Sequence, residues 1–202
     1  KAQVTFPVND VANPKDGCYA FTKATIVKKA NDTLLNATLV IRQGKIEAVG
    51  NNIAIPKEAV VIDCNGKYIY PGFIDIYTDY GIASAQPQQA AAGGGGGGFF
   101  RTQQITSNTK GAYGWNQAIK SETEAYKIFS ADDAKAKTLR DIGFGAVLTH
   151  QKDGIARGTG AFVTLANEPD NFVLIKDRAS AHYSFSRGTS GQSYPSSLMG
   201  SI

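Results

Sequence analysis

The chain has 202 residues, 42% of them apolar, and a formal net charge of +4. That is enough apolar material to exclude wholesale disorder, and enough length for one large domain or two small ones. Basic residues are interspersed with acids, and no apolar run approaches the ~20 residues of a membrane-spanning helix, so neither nucleic-acid binding nor a transmembrane segment is expected.

Residues 1–20 carry Pro7, Pro14, Asn13, Asp16 and Gly17 and read as an irregular arm with a strand near Val4–Phe6. The opening Lys1-Ala2-Gln3 fits the stub beside a signal-peptide cleavage site, which implies export, as well as an arbitrary start. Two cysteines, Cys18 and Cys64, are too few for a disulfide scaffold and lack zinc-site spacing. They are either a single disulfide or two buried free thiols.

A series of short strands follows. Ala20–Lys28 contains the β-branched Thr25, Ile26 and Val27, and Thr33–Arg42 alternates Leu35, Ala37, Leu39 and Ile41 on one face. Gln43-Gly44 marks a turn into Lys45–Val49. Ala59–Asp63 and Lys67–Tyr70 flank Asn65-Gly66, which predicts a two-residue hairpin. Strands at this spacing describe a small β-sandwich. Next, Phe73, Ile74 and Ile76 form an apolar run behind Pro71-Gly72, expected as a buried strand whose far end turns polar.

From Ser84 to Gly98 the chain reads SAQPQQAAAGGGGGG, a flexible insertion by composition. No Gly-Lys-Ser/Thr follows it, which argues against a phosphate-cradling loop. Residues 99–120 mix Phe99, Phe100, Tyr113 and Trp115 with polar side chains, and Asn116 or Ser121 would cap a helix. A helix is expected from Ser130 as N-cap, with Asp132-Asp133 in its first turn, Ala131, Ala134, Leu139 and Ile142 on its apolar face, and Gly143 at its stop. The buried strand Ala146–His150 after it gives a βαβ rhythm and a parallel sheet. Lys152–Gly160 reads as a glycine-punctuated turn, Ala161–Ala166 and Phe172–Ile175 as an antiparallel strand pair, and the end of the chain as the opening of a helix.

The stretches NATLVIRQGKIEAVG (36–50) and VIDCNGKYIYPGFID (61–75) resemble the N-terminal β-sandwich of the amidohydrolase superfamily as it runs into the barrel, with matching order and spacing over residues 21–81. Within it, Pro71–Asp79 resembles that superfamily's first barrel strand, Pro-Gly-Phe-Ile-Asp-x-His-x-His. The implied fold class is α/β: a β-sandwich over 1–70, then the start of a TIM (β/α)₈ barrel over 71–202 carrying the glycine-rich insertion 84–98. A complete barrel needs ~250 residues, so this reads as the N-terminal part of a longer protein whose remainder is its first partner. The resemblance is to metal-dependent hydrolases of the imidazolonepropionase/dihydroorotase-like kind. The phrases YTDYG, LTHQKDGIARGTG and YPSSLMGSI are further similar to large exported amidohydrolase-like proteins of Bacteroidetes-type bacteria. That implies the periplasm or cell envelope of a Gram-negative bacterium.

By this resemblance, the family holds zinc or another divalent metal and hydrolyses C–N bonds of amides, cyclic amides or peptides. The strand-one histidine pair is part of its ligand set. Here Tyr77 and Asp79 stand at those two positions, so the metal motif is degenerate. No catalytic residue is assigned. Asp75 is expected to bond nearby backbone, and with His150, at a strand end, it marks a possible pocket. His182 falls in a Ser/Tyr-rich stretch and is expected at the surface. Arg157, between glycines, would meet an anion or simply face solvent. The alternative to a decayed hydrolase is a non-catalytic scaffold of a cell-envelope complex that reuses the fold.

Overall fold

The computed structural model describes residues 17–86, 116–192, 195 and 197–202. The strand expected near Val4–Phe6, the cluster around Phe99-Phe100, Tyr113 and Trp115, and most of the glycine-rich insertion lie outside the described residues. The fold is mixed α/β and rich in strands, and the chain divides into two compact units, Lys1–Pro71 and Gly72–Ile202.

The first unit is built on two long strands, β1 (Cys18–Lys29) and β2 (Asp32–Arg42), paired antiparallel. β2 continues into β3 (Lys45–Gly50) through Gln43 and Gly44, whose φ values of 50° and 71° make a turn that matches the twist of the strands. On the other side of β1 lie β4 (Val60–Asp63) and β5 (Tyr68–Ile69), both parallel to it. The expected hairpin at Asn65-Gly66 is therefore a correction. Lys67 N–H bonds the Cys64 carbonyl at 2.9 Å across a turn in which Gly66, not Asn65, has positive φ (74°). That is the type II pattern, so the chain steps along β1 instead of folding back.

Two bulges decide which side chains this sheet buries. Lys23 (φ 58°) and Asn36 (φ 49°) each insert a residue into the ladder, and the register slips between Phe21 and Ala24 and again between Ala24 and Ile26. A one-residue slip moves every later side chain to the other face. Phe21 before the first bulge and Ala24 and Ile26 after it thus share one apolar cluster, together with Leu34, Ala37, Leu39 and Cys64. Cys18, Ala20 and Val40 form another. Leu35, expected beside Ala37 and Leu39, is expelled to 67% exposure, and Leu34 takes its place. Cys18 and Cys64 are both buried free thiols. Cys64 N–H bonds the Thr22 carbonyl, so the two cysteines are separated along β1 by roughly 13 Å at ~3.3 Å per residue, beyond disulfide reach.

The second unit contains a four-stranded sheet in the order β6 (Phe73–Thr78), β7 (Phe144–Thr149), β8 (Ala156–Thr164), β9 (Leu174–Tyr183). β6 and β7 are parallel, as the βαβ rhythm predicts, and β8 and β9 return antiparallel. Among the described residues four short helices accompany it: α1 (Ala125–Ile128), α2 (Asp133–Asp141), α3 (Asp170–Val173) and α4 (Leu198–Ser201). α2 starts later than its sequence suggests. Asp132, not Ser130, is the N-cap, its carboxylate accepting from Lys135 N–H at 3.0 Å, with Asp133 in the first turn. The segment 156–160, expected as a turn, is the first half of β8, and Phe172 lies in α3 ahead of β9.

The core of this unit gathers Tyr80, Ile82, Phe129, Ala136, Val147, Val163, Leu165 and Val173. β6 does not share in that burial. Phe73, Ile74 and Ile76 are 63%, 54% and 70% exposed, because β6 is an edge strand paired only with β7 among the described residues.

The bulge at Asn36 makes adjacent leucine and core positions energetically unequal. Leu39→Ala should cost about 2–5 kcal/mol in urea unfolding, whereas Leu35→Ala should stay within about 0.5 kcal/mol of the parent. Comparable costs at both positions would contradict the bulged register.

Candidate functional site

The polar end of β6 and the end of β7 lie side by side. His150 N–H donates to the Thr78 carbonyl at 3.0 Å, which carries the parallel pairing one residue past β7. Asp75 folds its carboxylate back to accept Tyr77 N–H at 2.9 Å, the backbone role expected for it. The antiparallel return then brings two further side chains to the same end. The first residues of β8 pair with the last of β9, as in Ala156 with Tyr183 and Thr159 with Ala181. Arg157 and His182 are thereby set beside His150.

The resulting cluster consists of Tyr77, His150, Lys152, Arg157 and His182, with Asp79 at its margin. His150 is fully buried. Its ring stacks on that of His182 with centroids 3.6 Å apart and planes 2° from parallel, and the Tyr77 ring meets it at 4.8 Å. Arg157, only 8% exposed, donates from Nη1 to the Tyr77 hydroxyl at 2.8 Å and from Nε to the Gly154 carbonyl at 3.1 Å. Lys152 Nζ sits 4.9 Å from the Tyr77 ring centroid, a cation–π contact, and 3.4 Å from Asp79 Oδ1. His182 Nε2 shares a hydrogen bond of 2.7 Å with Ser180 Oγ. Gly160 makes room for that pair, since a Cβ there would lie 2.5 Å from Ser180 Oγ and 2.7 Å from His182 Nε2.

Two expectations are overturned. His182 is half-buried on a strand and stacked on His150, not at the surface, and Arg157 is buried instead of solvent-facing. Linear sequence could not join His150 to His182, because only the β8–β9 antiparallel return brings them together. The one local hint was the glycine spacing around Arg157, which marks close packing against a strand neighbour.

Both imidazoles are held neutral. Burial, then His182, Arg157 and Lys152, push His150 down to about 4, with Asp79 opposing weakly. Burial and Arg157 also lower His182. Neither ring nitrogen of His150 has a hydrogen-bond partner within the described residues.

These residues do not fit a resident zinc ion. The Tyr77 oxygen is engaged by a guanidinium and Asp79 by an ammonium. Imidazole lone pairs lie in the ring plane, so two parallel stacked rings aim them side by side and not at one ion. Arg157 and Lys152 add positive charge where a dication would sit. No group of three or more His, Cys, Asp or Glu side chains suited to a metal occurs among the described residues.

Beneath this end of the sheet a polar knot fastens the loops. Asp153, 2% exposed, accepts from Lys120 Nζ, from Thr189 N–H at 2.6 Å and from Thr189 Oγ1 at 2.9 Å. Gln117 Oε1 accepts Gly191 N–H at 3.2 Å, and Gln117 N–H donates to Gln192 Oε1 at 2.8 Å. Burial pushes the Asp153 carboxyl up, but Lys120 and the two Thr189 donors outweigh it and hold it below its usual value. A separate cavity of about 340 Å³, lined by Thr78, Asp79, Tyr80, Ile82, Lys135 and Leu139, has only Asp79 in common with the cluster.

The low His150 value fixes the sign of a pH effect. The unfolded chain binds a proton near pH 6.5 that the native cluster refuses until about pH 4. Stability should therefore be complete above about pH 6.5 and decline as pH falls toward 4. Urea midpoints across that range, with imidazole resonances followed by NMR, check it; a His150 ring that titrates near 6.5 would contradict the buried stack.

No protein-family profile matches the chain. A stretch of 52 residues is 38% identical to imidazolonepropionase from Vibrio cholerae, covering 26% of this chain and 13% of that enzyme. The fold is similar to the crystal structure of an amidohydrolase from Thermotoga maritima MSB8, with a TM-score of 0.62 and 21% identity over 91% of this chain. The match spans 44% of the Thermotoga protein, so the chain corresponds to less than half the length of either relative. The fold likeness and the local sequence match together relate the chain to the amidohydrolase superfamily.

Proposed function

We propose that this chain is the leading part of an amidohydrolase-type protein, a β-sandwich running into the first strands of a (β/α)₈ barrel, whose first metal position has been converted into a metal-free hydrogen-bonded cluster. The observation that carries this reading is the bond from Arg157 Nη1 to the Tyr77 hydroxyl, 2.8 Å long, at a residue that the sequence resemblance aligns with a metal-binding imidazole. It satisfies the phenol and puts a fixed positive charge where a cation would be needed. The five-stranded first sheet supports the sandwich, and the parallel β6–β7 pair bridged by α2 supports the barrel start.

On this reading the segment does not itself hydrolyse C–N bonds. Its residues do other work: Arg157 orients Tyr77, Tyr77 and His182 enclose His150, and Asp153 anchors the following loop. Export to a Gram-negative cell envelope is part of the proposal and rests on the sequence resemblance. A second reading, a scaffold subunit, is favoured by the exposed apolar side chains of Phe73, Ile74 and Ile76 along β6, a surface suited to a protein neighbour.

Dialysis against equimolar zinc followed by metal analysis should leave well under one equivalent on the protein, and amide and dipeptide substrates should be hydrolysed no faster than in buffer. Tight stoichiometric zinc would overturn the metal-free reading. The double variant Tyr77→His, Asp79→His should take up more zinc than the parent wherever the remaining family ligands survive, since it removes the Arg157 acceptor and supplies two neutral imidazoles.

A further inference from the structure

The cluster contains a buried cation without a counter-ion. Arg157 is 8% exposed, and its hydrogen bonds go to a carbonyl and a phenol, both neutral. Among the described residues no carboxylate pairs with it. Burying an unpaired charge is costly, and proteins that do so ordinarily supply a partner. A second, independent observation lies beside it. His150 is fully buried with both ring nitrogens unpartnered, so one N–H donor and one acceptor stand unused next to the guanidinium. Lys152 Nζ adds a third donor above the Tyr77 ring.

The rim of this cluster is open although its floor is not. Tyr77 is 54% exposed, while Arg157 and His150 are buried beneath it. Tyr77 is tied down by one hydrogen bond of its side chain and by ring contacts, and its outward displacement would free Arg157 Nη1. Of the described acids near this rim, Asp79 already faces Lys152 and Asp75 accepts the Tyr77 backbone N–H.

From this geometry we infer that the Arg157–His150–Lys152 cluster is a binding site for a small carboxylate, which takes the place of the Tyr77 hydroxyl on the guanidinium. The guanidinium fork matches a carboxylate's two oxygens, the neutral imidazole N–H of His150 offers a further donor, and Lys152 supplies charge from the rim. A cation is disfavoured by the same groups. The inference rests on the metal-free reading above and gives it a ligand class: a site that has lost its metal ligands but kept convergent anion donors.

The test uses the purified chain with acetate and succinate as probes, chloride at matched ionic strength as the control, and inorganic phosphate as the competing oxyanion. The Arg157 Nε–H and histidine ring resonances are followed by NMR and affinity by calorimetry. Saturable shifts with acetate or succinate and not with chloride are expected. Arg157→Lys keeps a cation but removes the fork, and should weaken carboxylate binding about tenfold or more. Lys152→Ala, at the rim, should weaken it by about two- to fivefold while leaving the fold intact. Tyr77→Phe should bind at least as tightly as the parent, because it releases Nη1. Equal responses to chloride, binding unaffected by Arg157→Lys, or a response to phosphate alone would each overturn the carboxylate assignment. Zinc analysis of the same samples separates the two ideas: carboxylate binding alongside stoichiometric zinc defeats the metal-free reading, whereas no carboxylate binding without zinc defeats only the anion site.

Discussion

The second unit depends on where the guanidinium of Arg157 can be stabilised. The side chain is buried at the start of β8 and reaches across to β6, where the Tyr77 hydroxyl accepts from it. That bond links non-adjacent strands of the β6-β7-β8-β9 sheet over the end of β7. His150, the residue after β7, is enclosed as a consequence, between the Tyr77 ring on one side and His182 on the other. The positive charge then acts on both imidazoles and, with burial, keeps them neutral. One buried cation thus accounts for the phenol's position and the poor fit to zinc, and it adds to the burial that keeps the histidines neutral.

The loop that follows β7 is stabilised by a different balance. Asp153 is buried as deeply as Arg157, yet it has both a lysine and paired donors from Thr189. Its charge is matched locally, and the cost of burial is offset by hydrogen bonds. Among the described residues Arg157 has no such match. This contrast between two buried charges a few residues apart distinguishes a structural anchor from a site with unused binding capacity.

In the first unit the deciding constraint is backbone conformation. Lys23 and Asn36 both take positive φ, an unfavourable choice for a side chain other than glycine, tolerated here within paired strands. Each bulge exchanges the faces of its strand, so β1 and β2 stay in step despite carrying extra residues. The partial burial of Leu34 against the cluster and the exposure of Leu35 follow from the bulge at Asn36.

Much of the fold was legible in the order of residues. Period-two runs and β-branched content marked β1, β2 and β7; Gln43-Gly44 marked a turn; Gly143 after an amphipathic stretch marked the end of α2 and the parallel step into β7. These signals are local, because strand pleat, turn dihedrals and helix capping act over a few residues. The motif from Pro71 to Asp79 also carries its resemblance by itself, with Tyr77 and Asp79 at the two positions where the resembled pattern has histidine. What sequence did not disclose was non-local. The turn at Asn65-Gly66 was visible, but whether β4 and β5 paired with each other or with β1 depended on the free edge of β1. The exposure of β6 depended on its place at a sheet edge. The approach of His182 to His150, and the burial of Arg157, depended on the β8–β9 return, which joins residues about 30 positions apart. Residue types set which chemistries this chain can perform, and tertiary pairing decided which of those residues meet, since burial and charge are properties of neighbours that the sequence does not list side by side.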